Sequence, residues 1–310
     1  MKKFLFYVFL FLVPAYGLLA VIDYFYSQEV MKTNDRRIEA WYDLMHGNID
    51  SDILIMGSSR VWVHISPMIL DSVLHTSTYN IGIDGSGIRR QIHKYNMFIK
   101  YNRKPKVIIQ NIDQWSFKDK EGYEKEQFFP YFWNMDMRNE MFSSEPFSNM
   151  EKYCPLYRYW NKFDTGMLFS GFFKKQPRYL YKGYRGMERP WNGKKYNEIK
   201  TIRFEKNDTV VMLFDNYLAQ AKKDGIKVVF VYTPCYYGAL NKTENIDEMH
   251  AFYKRIADKY NIPILDYMNM EMCKDTTYFY NAMHLNRQGA EIFSDSLAHD
   301  LKRMYYASTE

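Results

Sequence analysis

Five short apolar runs, interleaved with longer stretches whose apolar residues recur at helical spacing, constrain this chain more than any other feature. Asp52 to Met56, Thr78 to Ile81, Lys106 to Gln110, Lys227 to Thr233 and Ile262 to Tyr267 read as buried strands, rich in Ile and Val. Pro67 to Leu74, Gly87 to Lys100, Asp208 to Lys223, Asn245 to Tyr260 and Arg287 to Tyr306 read as helices. Alternating strands and helices imply a parallel sheet covered on both faces, a three-layer α/β/α arrangement. In such a sheet the functional edge lies beyond the carboxyl ends of the strands. Ser59, Gly85, Asn111 and Pro234 all fall just after strands, so they converge on one edge.

Between the third and fourth strands the pattern stops. Residues 115–200 hold 23 of the 56 Phe, Trp and Tyr residues and show no clear period. This stretch reads as an insertion, lid or substrate platform rather than an independent domain, and as loops packed by their own rings otherwise.

The amino terminus carries a different signal. Lys2 and Lys3 precede Phe4 to Ile22, a run without a single charge. About 20 apolar residues span a bilayer core, and the flanking lysines predict a cytoplasmic amino terminus with the remainder outside. No small-x-small cleavage site adjoins a polar boundary, so residues 1–27 read as an uncleaved signal-anchor; a cleaved leader, with the protein secreted, is the alternative. Residues 28–50 read as a polar helical stalk, and 51–310 as the folded domain containing the insertion.

Composition narrows the function classes. The net charge is only +6, with 42 basic against 36 acidic residues, and no arginine-rich run accompanies it. Nucleic-acid binding is therefore not expected. Cys154, Cys235 and Cys273 are far apart and form no CxxC or Cys/His cluster, so neither a structural zinc nor another metal is expected. One disulfide with a free thiol, and three reduced thiols, both remain open.

The chemistry is concentrated in two short segments. Residues 53–60 read Ile-Leu-Ile-Met-Gly-Ser-Ser-Arg, an apolar run ending on Gly57-Ser58-Ser59. Residues 281–289 read Asn-Ala-Met-His-Leu-Asn-Arg-Gln-Gly, which puts His284 just ahead of the last helix. A serine on a tight turn and a distant histidine are a nucleophile and its base in outline. Residues 79–87, Tyr-Asn-Ile-Gly-Ile-Asp-Gly-Ser-Gly, form a glycine-rich turn whose backbone can aim an amide at an oxyanion. Asn111 offers a second donor.

In this order (Gly57-Ser58-Ser59, Gly85, Asn111, Asn281-x-x-His284) the blocks resemble those of the SGNH (GDSL-like) hydrolase superfamily. More narrowly they resemble its membrane-anchored, DltD-like and alginate-acetylation-like branch. The resemblance covers about residues 50–115 and 205–305; no motif covers the insertion. It implies Ser59 as nucleophile, His284 as base, and the amides of Ser59 and Gly85 with the Asn111 side chain as oxyanion hole. It implies no cofactor.

Two departures from the family pattern matter. Asn281 stands where the family has aspartate, so it can orient His284 without supplying charge; Asp275 is an alternative carboxylate, and a Ser–His dyad a further one. The Gln110-Asn111-Ile112-Asp113 block lacks the usual glycines. Arg60, Asp84 and Asp113 are weak candidates for substrate contact. Ser58, Gly82 and Gly87 read as turn residues, and the histidines other than His284 as surface or packing residues.

The expected activity is that of an extracytoplasmic serine esterase or O-acyltransferase acting on an acylated cell-envelope polysaccharide or similar polymer. The alternative is a weak or inactive binding protein that partners a membrane acyltransferase.

Overall fold

A computed structural model of the chain describes residues 2–33, 36–118, 125–144, 147–160, 181–193, 198 and 200–305. They divide into two compact units. One draws on residues up to 42 and on 125–160; the other draws on 43–118 and everything described from 181 onward.

The larger unit holds five parallel strands: β1 (Ile53–Met56), β2 (Thr78–Asn80), β3 (Val107–Asn111), β4 (Lys227–Tyr232) and β5 (Ile264–Asp266). Their order is β2-β1-β3-β4-β5. Each strand lies within a residue or two of its sequence expectation, because a run apolar on consecutive positions buries both faces of a strand. Residues 53 to 56 are all buried. Ile53, Ile55, Ile109, Val229 and Val231 pack with Leu70, Phe293 and Leu297 from the helices Pro67–Leu74 and Arg287–Tyr305. On the opposite face Phe230 meets Phe214 and Tyr253 from the helices Asp208–Lys223 and Ile246–Tyr260. Three layers result. The chain leaves β1 toward β2 on one side and returns to β3 on the other, so the crevice for a site opens at the carboxyl ends of these strands.

Among the elements not foreseen, two features shape the site. The turn after β1 is at once the start of a short helix, Ser59–His64. Near the end of the chain, β6 (Phe279–Asn281) and β7 (His284–Leu285) form an antiparallel hairpin. Two- and three-residue strands are too short to leave a period-two signature.

The smaller unit contains the helix Lys2–Met31, which includes the whole apolar run and continues past it. Its window of highest mean hydropathy, 2.4, contains no buried residue. The expected polar stalk is not a solvated rod. A helix Arg36–Met45 follows, and Trp41 is buried against Phe128 while its Nε1 donates to Gln127 Oε1 at 3.0 Å. Apolar positions Ile38 and Trp41, three apart, supply the buried stripe of this helix.

Candidate active site

Ser59 reaches the sheet edge because β1 stops at Gly57, where nothing larger fits. A Cβ there would stand 2.4 Å from Val61 Cγ2 and 2.7 Å from Asn111 Cβ. The close approach lets the chain turn at once into the Ser59–His64 helix. Ser58 is its N-cap, accepting from the Arg60 amide at 3.4 Å. Asn80, at the end of β2, locks this helix to the neighbouring loop. Its Nδ2 donates to the carbonyls of Val61 and Ile65, while its Oδ1 accepts from the Gly82 amide. The loop then reaches Gly85, held at φ +65°, a conformation that disfavours any residue with a Cβ.

His284 arrives from the other end of the chain on β7. Its Nε2 stands 2.8 Å from Ser59 Oγ, and its Nδ1 stands 3.0 Å from Asn281 Oδ1. The Met283 backbone amide also donates to Asn281 Oδ1, at 2.9 Å. A backbone N–H can only donate, so the amide end facing it is the oxygen. That oxygen can only accept, so Nδ1 carries the proton and the Nε2 lone pair faces the Ser59 hydroxyl. This is the tautomer a general base needs. Tyr280 stacks on the imidazole with rings 9° from parallel. His64, the last residue of the serine's own helix, accepts from the Leu285 amide at 3.0 Å. The helix bearing the nucleophile thus grips the strand bearing the base.

The other candidates separate. Arg60 and Asp113 line a cavity of about 380 Å³ together with Ser58, Ser59, Gly85, Ser86, Gly87, Trp115 and His284. A second hollow of about 500 Å³, lined by Lys200, Arg203, Asn192 and Ile202, shares Trp115, Lys118, Met283 and His284 with the first. Asp84 is exposed and lines neither. Asn111 is not brought to either hollow. It is the last residue of β3, opposite Val231, rather than the first residue beyond the strand. Its Nδ2 donates to the carbonyls of Val231 and Ile112, at 3.1 and 3.3 Å. One extra paired residue keeps the side chain inside the ladder instead of at the crevice. Asp275 does not reach His284 Nδ1, which Asn281 occupies. Its carboxylate caps the turn at Thr277.

His64, Tyr280, Trp115 and Lys118 were not singled out by the sequence. A lone histidine five positions after the serine carries no spacing signal. Neither does an aromatic four residues after a strand.

The electrostatics are unusual for a serine–histidine pair. Arg60 is 3% exposed, and its guanidinium donates to the carbonyl of Thr233 at 2.5 Å, while its Nε meets no acceptor among the described residues. Burial, reinforced by this cation, pushes His284 down from 6.5 to about 4. His64 is driven down by burial, by Arg60 and by His284 itself. The Asp113 carboxylate is occupied by the Trp115 amide and the Ser116 hydroxyl, with Ser58 Oγ at 3.5 Å. The pair is therefore assembled and correctly protonated near neutral pH, with a neutral orienting group and a weak base.

The three cysteines are unpaired; Cys235 and Cys273 are buried.

No family model matches this chain, and no curated protein matches it. Similar solved structures include the following three. An acetyl xylan esterase is 12% identical over 80% of this chain and 98% of its own, with a TM-score of 0.42. A GDSL-like lipase from Bacteroides thetaiotaomicron is 10% identical over 80% and 88%, with a TM-score of 0.39. A family two carbohydrate esterase from Clostridium thermocellum, solved with cellohexaose, is 10% identical over 83% of this chain but 65% of its own, with a TM-score of 0.40.

Proposed function

We propose that the larger unit is an SGNH-type serine esterase or O-acyltransferase working through an acyl-Ser59 intermediate. The observation that carries this reading is the relay Ser59 Oγ–His284 Nε2 and His284 Nδ1–Asn281 Oδ1, at 2.8 and 3.0 Å. Ser59 Oγ attacks the ester carbonyl carbon while its proton passes to Nε2. The resulting oxyanion is held by the Ser59 and Gly85 amides, whose residues line the cavity. Collapse breaks the bond to the alcohol, whose oxygen takes the proton from His284. Water or a sugar hydroxyl, deprotonated by the same Nε2, then attacks the acyl-serine and frees Ser59.

Arg60 has two opposed effects in this scheme. Its positive field disfavours the imidazolium, yet it favours the negative charge developing on the substrate oxygen. The substrate we assign is an O-acylated cell-envelope glycan, and the location is the outer side of the cytoplasmic membrane. The apolar leading helix supports the location, and the second hollow of about 500 Å³ beside the cavity supports a substrate larger than a small ester.

The test is labelling of the full chain in detergent with a fluorophosphonate, beside Ser59→Ala and His284→Ala. Labelling of the wild type that vanishes in both variants is the expected result. A folded wild type that does not label would sink the claim.

A second reading rests on Asn281 and the depressed His284: a catalytically weak SGNH-like protein that binds acyl-glycan or assembles with a membrane acyltransferase. In that case ester turnover stays weak or absent at every pH, and Asn281→Asp does not change this.

A further inference from the structure

The leading helix does not end where its apolar run ends. Asp23, the first charge after Ile22, is fully buried on the smaller unit and pairs with Arg158, itself buried. The same carboxylate accepts from Trp133 Nε1 at 2.7 Å and from the Leu156 amide at 2.7 Å. One turn on, Ser27 Oγ bonds to Tyr159 OH at 2.9 Å, and Tyr26 packs edge-on against the same ring. Seven residues in the other direction, inside the apolar run, the Tyr16 hydroxyl donates to the carbonyl of Tyr153 at 2.7 Å. At 1.5 Å of rise per residue, the contact between this unit and the helix extends about 10 Å into the span.

That contact fixes what surrounds the rest of the unit. Trp160 is 71% exposed and Trp133 43%, and Met150, Tyr153 and Tyr157 are exposed beside them. Tyr24, exposed on the helix, meets Trp133 edge-on at 5.8 Å, so the two apolar surfaces are continuous. Arg138 lies over the rings of Phe142 and Tyr153, and Lys152 lies over Phe142. Exposed Trp and Tyr with flanking cations match the headgroup layer, where amphipathic rings reside and cations meet phosphates.

We propose that the unit built from residues 2–42 and 125–160 is a collar that sits in the headgroup layer of the bilayer, its exposed aromatic face against lipid, around an anchor helix that is retained. Removal of the apolar run at its polar boundary would delete Asp23 or fray the turn that carries it. Arg158 would then be buried without its carboxylate, a costly state. The aromatic richness of the middle of the chain is thus assigned to lipid rather than to glycan.

The full chain, reconstituted in phosphatidylcholine vesicles brominated either near the headgroup or near the chain end, tests this by tryptophan quenching. Headgroup-proximal bromine is expected to quench more strongly. Trp133→Phe with Trp160→Phe is expected to remove at least half of that quenching, and Trp160→Phe alone a smaller part if the double variant does not fold. Mass spectrometry of the mature chain from membranes is expected to retain the apolar run. Quenching that is absent, or indifferent to both variants, would overturn the proposal; a second copy or a partner protein covering the face would give that result. A folded mature chain that begins after Ile22 would overturn it as well.

Discussion

Two arginines are buried among the described residues, and they are buried differently. Arg158, in the smaller unit, is matched by the Asp23 carboxylate and by the carbonyl of Phe129. Arg60, in the larger unit, has carbonyl acceptors but no ion pair among the described residues. A paired ion spends its field on its partner and serves architecture. An unmatched one projects its field outward, here onto a histidine it depresses and a cavity it lines. The contrast separates a unit built to hold a helix from a unit built to hold a charge that comes and goes.

The sharpest way to break the contrast is to give the larger unit its missing carboxylate. Asn281→Asp restores a negative partner for the imidazolium. In a serine protease, the loss of that charge costs about 10⁴ in turnover. Turnover of a chromogenic ester is expected to rise by about 10² or more, with KM little changed. No gain would mean that Asn281 is not what limits this site.

The reverse experiment strips the smaller unit of its partner. Asp23→Leu leaves Arg158 buried and unmatched, at a cost of roughly 3–5 kcal/mol to that unit. Protease sensitivity in residues 125–160 should appear, while fluorophosphonate labelling at Ser59 persists. Adding Arg158→Leu should recover most of the loss. Recovery that fails would indicate that the pair is needed for more than charge balance.

Acid sensitivity follows from the depressed histidines. The folded value of His284 lies near 4, below its ordinary 6.5, so between those values the unfolded chain binds more protons. Its contribution is fully present above pH 6.5 and is lost as pH falls toward 4, about 3 kcal/mol in all. His64 shifts in the same direction. Urea unfolding at pH 7 and pH 4.5 should show a smaller acid loss for His284→Gln than for wild type. Equal losses would place the sensitivity elsewhere.

The smallest expected effect tests Arg60 directly. Arg60→Met removes the cation but leaves the burial that dominates the shift. His284 should titrate higher, though still below its ordinary value, read by NMR of the ring protons, and the acid limb of the rate profile should move with it. An unmoved titration would assign the whole depression to desolvation.

Much of this was legible beforehand. Strands buried on both faces announce themselves as apolar runs, so the sheet and its flanking helices followed from composition in short windows. Ser59 and His284 were legible because each lies beside such an element. Asn111 was misplaced by a single residue at the end of β3, and in a strand one residue decides whether a side chain stays in the ladder or leaves it. His64 acts through the tertiary fold alone, and no local pattern encodes its contact with Leu285, 221 residues away, while Tyr280 stacks on His284 only because the β6–β7 hairpin, whose strands leave no period-two signature, folds the two rings together. The smaller unit was invisible for a related reason. Its core is built by rings from the insertion closing on a helix that the sequence reads as entirely membrane, and only Asp23 hints otherwise.

The shared oxygen of Asn281 has one more consequence. An aspartate there would make the site a coupled acid–base system, with two protonation steps belonging to the pair rather than to either residue. An amide has no proton to gain or lose in this range. The Asn281–His284 relay therefore has two charge states instead of four, and Asn281 adds no proton step of its own to the acid limb.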